Sequence, residues 1–511
     1  MISQTLREAR QAEEAFEKRI TKEQRPMFHL TPRTGWMNDP NGFTYYQGKY
    51  HLFYQYYPYD SHWGLMHWGH AVSEDLLHWQ YAPAALAPDE YYDKDGVFSG
   101  NAVQLADGRL LLAYTGVLEM MDENCQKSCL QTQCLAVGDG IDFEKVSDNP
   151  VITSDMIPEG GSRRDFRDPK LWRAPDGTFR MLVANRPADQ SGQLLLYKST
   201  DGFHWEFGSI FAENRNRFGR MWECPDFFEL DGKAVLLVSP QDMLPDGFEY
   251  HNGNGTVCLT GSFDPVSETF VDEDNQAVDY GIDFYAMQTL LSPDGRRIMI
   301  GWMQNWDTIG THDARDPWFG QMSLPRELRI RDGNLYQYPI RELELYRRNK
   351  VEYDHLRLKG NGIITSAYSK PKDVTRGLQL PGVSGRCLDM EVIVSRPEGE
   401  ELFNKFTISL AADEQYHTNI SFRPGESIVK IDRKFSGSRR AVIHQRRAQV
   451  EMQDDQVKFR IILDRFSVEV FINDGSKVMT MTLGTRQSAD GIFFACDKDV
   501  ILNVTKYELQ L

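Results

Sequence analysis

The segment DGRLLLAYTG (residues 107–116) places a two-residue turn in front of an apolar run that has the length of a strand. The same pattern of turn and strand occurs at four other glycines, and successive glycines lie 60, 69, 55 and 63 residues apart. Turns of this kind between apolar runs favour antiparallel hairpins. The repeat predicts a unit of about 60 residues, with turn glycines Gly48, Gly108, Gly177, Gly232 and Gly295.

A second repeat is interleaved with the first. It is an aspartate followed after a few residues by an aromatic side chain, at Asp75, Asp139, Asp201 and more loosely Asp264, with spacings of 64, 62 and 63 residues. Each unit therefore holds about four antiparallel strands, and five units fit between about residues 30 and 340. Such units repeated radially predict a five-bladed β-propeller. The alternative is a β-sandwich with coincidental turns, which the five matched glycines disfavour.

The turn glycines also align polar residues. Nine residues before four of them stand Asp39, Ser99, Asp168 and Glu223. In a propeller this position is the mouth end of each innermost strand, so we expect these side chains to converge on the axis. The fifth unit has Ala286 there, and we expect Asp283, with Tyr285 beside it, to act as the substitute.

Converging carboxylates can hold different protonation states near neutral pH, which is what cleavage of a glycosidic bond requires. Glu223 is the expected acid, because Trp222, Cys224 and Pro225 provide a desolvated setting that favours a protonated carboxyl. Asp39 is the expected nucleophile, held at a rigid strand entrance by the turn that follows it. We expect Asp168 to be kept ionised by the adjacent Arg167 and to bind sugar hydroxyls.

Aromatic residues crowd the segments near the expected mouth. Sugars stack their C–H faces on such rings, and amides bind their hydroxyls. The expected contacts are Trp36, Trp63, Phe98, Tyr285 and Trp306, with the amides of Asn38 and Gln55. Packing between blades is the preferred interpretation for Phe53, Tyr54, Trp68 and Trp302.

Three motifs in this order, WMNDPNG (36–42), FRDP (166–169) and WECPD (222–226), resemble glycoside hydrolase family 32, the β-fructofuranosidases. The resemblance implies an all-β chain, a five-bladed β-propeller followed by a β-sandwich, without a cofactor. It also implies retention through a covalent fructosyl-enzyme, with Asp39 as nucleophile, Glu223 as acid/base and Asp168 as transition-state stabiliser. The implied fructose subsite consists of Asn38, Gln55, Trp63, Phe98, Ser99 and Arg167. Leu65 and the insertion THDARDPWFG (311–320) depart from the family pattern where the leaving group is expected.

The rest of the chain divides around the propeller. We predict an N-terminal helical segment (1–24), the propeller (25–340), a linker (341–354) and an all-β sandwich domain (355–511). In the last of these, segments with apolar residues at strand period are bounded by Asp-Gly turns. The sandwich shows no catalytic constellation. We expect it to brace the propeller, with carbohydrate binding as the alternative.

Composition restricts the partners. A net charge of −17 disfavours nucleic acid and anionic membranes, so a small neutral carbohydrate is the expected partner. An odd number of cysteines, seven, and no apolar leader or span predict reduced thiols and a cytoplasmic location. Cys125, Cys129 and Cys134 are closely spaced but lack a partner histidine, so no metal site is expected. The sequence leaves the oligomeric state open.

The predicted activity is release of terminal β-D-fructofuranosyl units from sucrose or short fructo-oligosaccharides. A fructosyltransferase that uses the same intermediate, a sucrose-6-phosphate hydrolase and a non-catalytic sugar-binding propeller are the alternatives, and the presence of all three acids argues against the last. The loops expected near the leaving group contain one side chain that is certainly a cation, among several acids. A phosphate group is usually bound by Lys or Arg, so these loops favour unphosphorylated sugars. These residues are Asp60, His62, His67, Asp307, His312, Asp313, Arg315 and Asp316.

Overall fold

The computed structural model describes residues 2–121, 127–311, 316–360, 377–438 and 441–511. Cys125, His312, Asp313 and Arg315, which enter the sequence predictions, lie outside these ranges. No helix among the described residues has the length and apolarity to cross a membrane.

The chain begins with helix α1 (Gln4–Glu17), which Ser3 caps by accepting a hydrogen bond from the Leu6 backbone N–H at 3.1 Å. Leu6 and Ala9 are buried, and the helix packs against the outermost strand of the first blade. Short 3₁₀ turns follow elsewhere at Lys22–Gln24, Ser154–Met156, Ile309–Thr311, Arg341–Tyr346 and Pro424–Glu426.

Five antiparallel sheets form the propeller, numbered here in chain order. Blade I has β1 Gly35–Tyr46, β2 Lys49–Tyr57, β3 His67–Ser73 and β4 Gln80–Leu86; blade II has β5 Val97–Gln104, β6 Leu110–Met121, β7 Lys127–Gly138 and β8 Phe143–Lys145. Blade III has β9 Phe166–Arg173, β10 Phe179–Asn185, β11 Gln193–Ser199 and β12 Glu206–Glu213; blade IV has β13 Met221–Leu230, β14 Lys233–Gln241, β15 Val257–Asp264 and β16 Thr269–Ala277. Blade V has β17 Tyr285–Leu291, β18 Arg297–Trp302, β20 Arg326–Arg331 and β21 Asn334–Pro339, while the short β19 Trp318–Phe319 pairs in parallel with β1.

Both sequence repeats fall at equivalent turns of the blades. The five glycines lie between the first and second strands, and all have positive φ, from 81° to 89°. In blades I and IV, Gln47-Gly48 and Asp231-Gly232 both have φ above zero, as a two-residue hairpin on twisted strands requires. The aspartates of the second repeat lie between the third and fourth strands, except Asp264, which ends the third strand of blade IV. All accept backbone N–H groups, as Asp75 does from Leu77 at 3.0 Å.

The innermost strands β1, β5, β9, β13 and β17 contact one another in a closed ring around the axis. Large aromatic side chains fill the space between and behind them. Phe53, Tyr54, Trp68 and Trp302 are all at most 1% exposed, as predicted for packing residues. The propeller therefore presents one end of five inner strands to a shared mouth.

The second unit is a sandwich of two antiparallel sheets. One contains β22 Arg347–Leu358, β23 Leu388–Ser395, β28 Gln456–Asp464, β29 Ser467–Ile472, β30 Lys477–Thr482 and β32 Val500–Leu509; the other contains β24 Phe406–Ala412, β25 His417–Arg423, β26 Ile428–Phe435, β27 Gln445–Gln449 and β31 Gly491–Cys496. Because β22 pairs along its length with β32, the sandwich begins inside the segment 341–354 that was predicted as a linker.

Buried charges join the two units. His29 of the propeller contacts Asp464 through Nδ1 at 2.8 Å and Glu469 through Nε2 at 3.0 Å, both in the sandwich. Arg326 of blade V donates through Nε to Glu469 at 3.0 Å and through Nη1 to Asp279 at 3.0 Å. These side chains are almost fully buried, so removing one partner would leave an uncompensated charge in the interface.

Candidate active site

Each innermost strand carries a register irregularity near the mouth. The ladder between the first and second strands is interrupted after Met37, Phe98, Arg167, Glu223 and Tyr285, and in blade I it is interrupted a second time after Asn41. A bulge releases one or two residues from pairing and re-aims their side chains. In blades III, IV and V the released residue has left-handed φ, 62° at Asp168, 48° at Cys224 and 53° at Ala286.

The bulges correct one sequence equivalence. Asp168, Ala286 and Cys224 share the bulge position, whereas Glu223 is the last paired residue before it and matches Arg167 and Tyr285. Counting back nine residues from the turn glycine misplaces Glu223 by one residue, because the bulge residue lies nine residues before the glycine in blade III (Asp168 and Gly177) but eight in blade IV (Cys224 and Gly232). The site therefore has two adjacent layers: Arg167, Glu223 and Tyr285, then Asp39, Ser99, Asp168 and Cys224.

Asp39 is held through one oxygen. Its Oδ2 accepts a hydrogen bond from Ser99 Oγ at 2.7 Å and lies 3.6 Å from Cys224 Sγ. Its Oδ1 has no hydrogen-bond partner in the described part of the chain. Burial and the nearby charge of Glu223 raise the pKa of Asp39 to about 6, although the Ser99 hydrogen bond opposes this. One oxygen is thus fixed, and the other has no hydrogen-bond partner among the described residues.

Asp168 is held from blade IV. Its Oδ2 accepts the Cys224 backbone N–H at 3.1 Å and lies 3.7 Å from the Cys224 sulfur. Burial raises the pKa of Asp168, and the Glu223 and Asp39 charges add to this while Arg167 opposes it. Arg167 thus favours ionised Asp168 from a distance, with Nε 4.0 Å from Oδ2, while its short hydrogen bonds go to Glu223.

Glu223 has partners on both oxygens. Arg167 donates to Oε1 from Nε at 3.0 Å and from Nη2 at 2.8 Å, and the Tyr285 hydroxyl lies 2.8 Å from Oε2. The same hydroxyl lies 2.9 Å from the Ser239 carbonyl oxygen. Because a hydroxyl has one proton, Tyr285 can donate either to ionised Glu223, or to Ser239 while it accepts from protonated Glu223. This arrangement accommodates both states of an acid/base.

The predicted sugar contacts surround these two layers. Trp36 Nε1 donates to Asn38 Oδ1 at 2.8 Å, which fixes the amide next to Asp39. Gln55 Nε2 donates to the Val97 carbonyl at 3.0 Å, beside Phe98. Trp63 is 50% exposed, with its ring centroid 6.4 Å from that of Phe98, and Trp306 packs on Trp302 with 5.2 Å between centroids.

Asp283 is the predicted site residue that the structure places elsewhere. It is fully buried in the interface between propeller and sandwich, where its Oδ2 accepts from Arg433, from the Thr482 backbone N–H at 2.8 Å and from the Thr482 hydroxyl. Asp283 lies two residues before the start of β17 and is not part of the bulge at Ala286. Tyr285, not Asp283, is the residue of blade V that contacts Glu223 in this layer.

Sequence reasoning missed a third layer beneath the site. Two residues beyond each bulge position stand polar side chains with little exposure, and the Lys170 ammonium lies 2.9 Å from the Asp226 carboxylate. An alignment of Cys224 with Asp168 would have revealed these polar residues in the sequence, because each stands two residues after a bulge position. The layer consists of Asn41, Asn101, Lys170, Asp226 and Gln288.

No group of three or more His, Cys, Asp or Glu side chains within the described ranges has an arrangement that could hold a metal ion. The three carboxylates are engaged instead by hydroxyl, guanidinium and backbone donors. The geometry supports acid, base and nucleophilic chemistry on a small molecule that enters at the mouth.

Two family models cover most of the chain. A model described as the glycosyl hydrolases family 32 N-terminal domain matches residues 29–339, and one described as the glycosyl hydrolases family 32 C terminal matches residues 352–508. The first model ends at Pro339, with the last strand of the propeller, and the second begins within β22 and ends within β32 of the sandwich.

Curated proteins and solved structures are similar over nearly the whole length. A raffinose invertase of Escherichia coli is 36% identical over 484 residues, covering 93% of each chain, and a sucrose-6-phosphate hydrolase of the same species is 36% identical over 463 residues, covering 89% of this chain and 88% of the other. A β-fructofuranosidase of Bombyx mori, solved as a variant in complex with sucrose, has a TM-score of 0.82 at 31% identity, covering 100% of this chain and 99% of that one.

Proposed function

Because the chain belongs to glycosyl hydrolase family 32, we propose that it is a retaining β-fructofuranosidase that releases terminal fructosyl units from sucrose or short fructo-oligosaccharides. The observation that carries this proposal is the pair of layers at the mouth. One layer holds a carboxylate with a free oxygen, Asp39, and the adjacent layer holds a carboxyl with a proton-accepting neighbour, Glu223.

In the first step, Asp39 Oδ1 attacks the anomeric carbon, the bond to the leaving oxygen breaks, and the Glu223 proton passes to that oxygen. Glu223 becomes an anion as it loses this proton. Arg167, which already donates two hydrogen bonds to Oε1, stabilises the new charge, and Tyr285 turns its hydroxyl proton toward Oε2.

In the second step, Glu223 removes a proton from water, the water oxygen bonds to the anomeric carbon, and the ester bond to Asp39 breaks. The sulfur of Cys224, the residue next to Glu223, lies 3.6 Å from Asp39 Oδ2, so the two carboxyl groups belong to neighbouring positions at one mouth, as a retaining pair requires. Asp168, with one oxygen bound to the Cys224 N–H, can accept hydrogen bonds from sugar hydroxyls with the other.

Trapping the ester tests the mechanism. Glu223→Gln should transfer fructose to Asp39 from a substrate with an activated leaving group. It should then release the fructosyl unit slowly, because the base that removes a proton from water is missing. Intact-mass spectrometry should show an adduct of one fructosyl unit, located on Asp39 by peptide mapping. Glu229→Gln, an exposed acid on the same strand, is the matched control and should show no adduct. The mechanism would be refuted if no adduct formed and the fructose released in a single turnover had the inverted configuration at the anomeric carbon.

We propose that unphosphorylated sugars are preferred. The described rim offers Trp63, Leu65 and Tyr59, each at least 40% exposed, which suit a neutral sugar face. Arg446 of the sandwich lines the same small pocket as Asn305, near the loop of Trp306; burial lowers the pKa of Arg446 and Arg433 adds to this, while the Asp307 and Asp283 carboxylates oppose it. The relatives named above include both a raffinose invertase and a sucrose-6-phosphate hydrolase, so their names leave this choice open.

The preference is measured as kcat/KM for sucrose, sucrose 6-phosphate and kestose on one preparation. More than about tenfold preference for the phosphorylated sugar, or about 1.4 kcal/mol of transition-state binding, would contradict it. Growth of trisaccharide at high sucrose in place of free fructose would support the transferase alternative. The cytoplasmic location is also part of the proposal, supported by cysteines without disulfides, such as Cys134 and Cys258.

A further inference from the structure

A chain of alternating charges leads from the outside of blade III to Glu223. Arg186 donates to Asp165 Oδ2 from Nε at 3.0 Å and from Nη2 at 2.5 Å, and Arg167 donates from Nη1 to Asp165 Oδ1 at 3.0 Å. Two other nitrogens of Arg167, Nε and Nη2, donate to Glu223. Side-chain exposure falls along this chain, from 25% at Arg186 to 14% at Asp165 and 11% at Arg167. The inner charges therefore act on one another with little screening by water.

Asp165 is held in one position by its backbone as well as by its side chain. Its N–H donates to Ser162 Oγ at 3.1 Å, and its carbonyl oxygen accepts from Asn185 Nδ2 at 2.9 Å and from the Arg186 N–H at 3.2 Å. Asn185 ends β10, the strand that pairs with β9, and Asp165 lies directly before β9. The carboxylate is thus fixed beside the Arg167 guanidinium.

Asp165 is an anion near neutral pH. Burial alone would raise its pKa, but the charge and hydrogen bond of Arg167, followed by those of Arg186, outweigh burial and lower the pKa of the Asp165 carboxyl. A negative charge beside a guanidinium offsets part of the positive potential that the guanidinium exerts on its other partner. Asp165 therefore weakens the preference of Arg167 for the Glu223 anion.

An acid/base depends on such a balance. Glu223 has to be protonated before the leaving group departs and ionised before water attacks, whereas an opposite charge within about 4–6 Å favours the ionised form alone. Arg167 without a second partner would hold Glu223 as an anion. We propose that Asp165 is a positioning residue that keeps Glu223 able to act as an acid, because it shares the Arg167 guanidinium with it. This inference rests on the acid/base role of Glu223 in the proposed function.

Other ionisable groups face the two carboxyl groups from neighbouring strands. Those that interact with the charge of Glu223 are Asp39 of β1, Asp168 of β9, Cys224 of β13 and Tyr285 of β17. The Cys129 thiol of β7 interacts with Asp165, and the charges of Arg164, Arg167 and Glu119 also act on it. Within the described ranges, Arg186 has no ionic partner other than Asp165. A change at Arg186 therefore reaches Glu223 chiefly through Asp165.

Two variants should move the pH profile in opposite directions. The basic limb of kcat/KM for sucrose marks the loss of the proton of the acid. Asp165→Asn keeps the shape of the side chain and removes its charge, so the basic limb should move to lower pH by about one unit. Arg186→Gln leaves Asp165 fully available to Arg167, so the limb should move to higher pH, by about half a unit because Arg186 is partly exposed. A residue that only supports the fold would lower activity at every pH without this reversal.

Three further variants serve as controls. Asp272→Asn breaks a similar pair of hydrogen bonds, from Arg217 at 2.6 Å and 3.0 Å on the outer strand of blade IV, and should leave the limb in place. Asp165→Glu keeps the charge and should keep the limb near its parental position. Glu223→Gln, although slow, should show no basic limb with sucrose. A limb that persists in Glu223→Gln would overturn the acid role of Glu223 and this inference with it.

The remaining outcomes concern Asp165 alone. If Glu223→Gln lacks the limb, the acid role stands. A limb that then stays in place, or moves in the same direction, in Asp165→Asn and Arg186→Gln would overturn the role of Asp165. Should Asp165→Asn fail to fold, Arg186→Gln decides, and a limb that does not move to higher pH in that variant would overturn the proposal.

Discussion

Replacing Ser99 with alanine should raise the pH at which the enzyme becomes active. Ser99 Oγ donates to Asp39 Oδ2 at 2.7 Å in a buried setting. A hydrogen bond to a charged group contributes about 1.5–3 kcal/mol and one to a neutral group about 1 kcal/mol. The ionised form of Asp39 therefore loses about 1–2 kcal/mol more than the protonated form, which raises the pKa of Asp39 by about one pH unit from its value of about 6.

The measurement is kcat/KM for sucrose between pH 4 and pH 9. Asp39 must be ionised to attack, so the acidic limb should move from about pH 6 to about pH 7. For each protein, kcat/KM at pH 5 is divided by its value on the plateau. This ratio should be about tenfold smaller for Ser99→Ala than for the parent. Ser73→Ala removes a similar hydroxyl contact, to Asp75 at 3.1 Å, at the far end of blade I and should leave the limb in place. An acidic limb that stays at its parental pH in Ser99→Ala would refute the assignment of Asp39 as the titrating nucleophile.

Three further changes test other parts of the structure. Glu223→Gln should reduce kcat by about 10²–10⁴ for sucrose but far less for a substrate whose leaving group needs no proton, and equal losses on both would contradict the acid role. Cys224→Ser should shift the pH profile without abolishing activity, because burial raises the pKa of the thiol well above its usual range and keeps it neutral; a folded but inactive variant would oppose this. Burial lowers the pKa of His29, but hydrogen bonds to Asp464 and Glu469 outweigh this and raise it to about 9. Its stabilisation is therefore complete below about pH 6.5 and declines as pH rises through 9, by up to about 3 kcal/mol in urea unfolding, and His29→Gln should show a flatter profile.

The propeller and the meeting of Asp39, Asp168 and Glu223 at its mouth were predictable because repetition in the sequence reports repetition in space. Turn glycines such as Gly177 mark hairpins directly, and residues at a fixed distance from them belong to one end of one strand. Even so, the pairing of Arg167 with Glu223 was beyond such counting. It depends on a bulge, and a bulge shifts side chains by one position without leaving a residue type that identifies it.

Asp283 was mispredicted for a different reason. Its position in the sequence, two residues before Tyr285, suits a mouth residue, but its partner Arg433 lies 150 residues away in the sandwich. The start of the sandwich at Arg347 was also hidden, since half of β22 is charged and its pairing partner is the last strand of the chain. Local pattern predicts an element well and predicts poorly which distant element covers it.

The contacts of His29 restrict the order in which this protein can fold during synthesis. The backbone N–H groups of Met27 and Phe28 and the imidazole of His29 all bind Asp464, a residue about 435 positions later in the chain. Until the ribosome has made β28, the segment that leads into the first blade has no place to dock, and its buried polar groups have no partners. A nascent chain can close hairpins one by one, but the enclosure of its first blade waits for nearly the last tenth of synthesis.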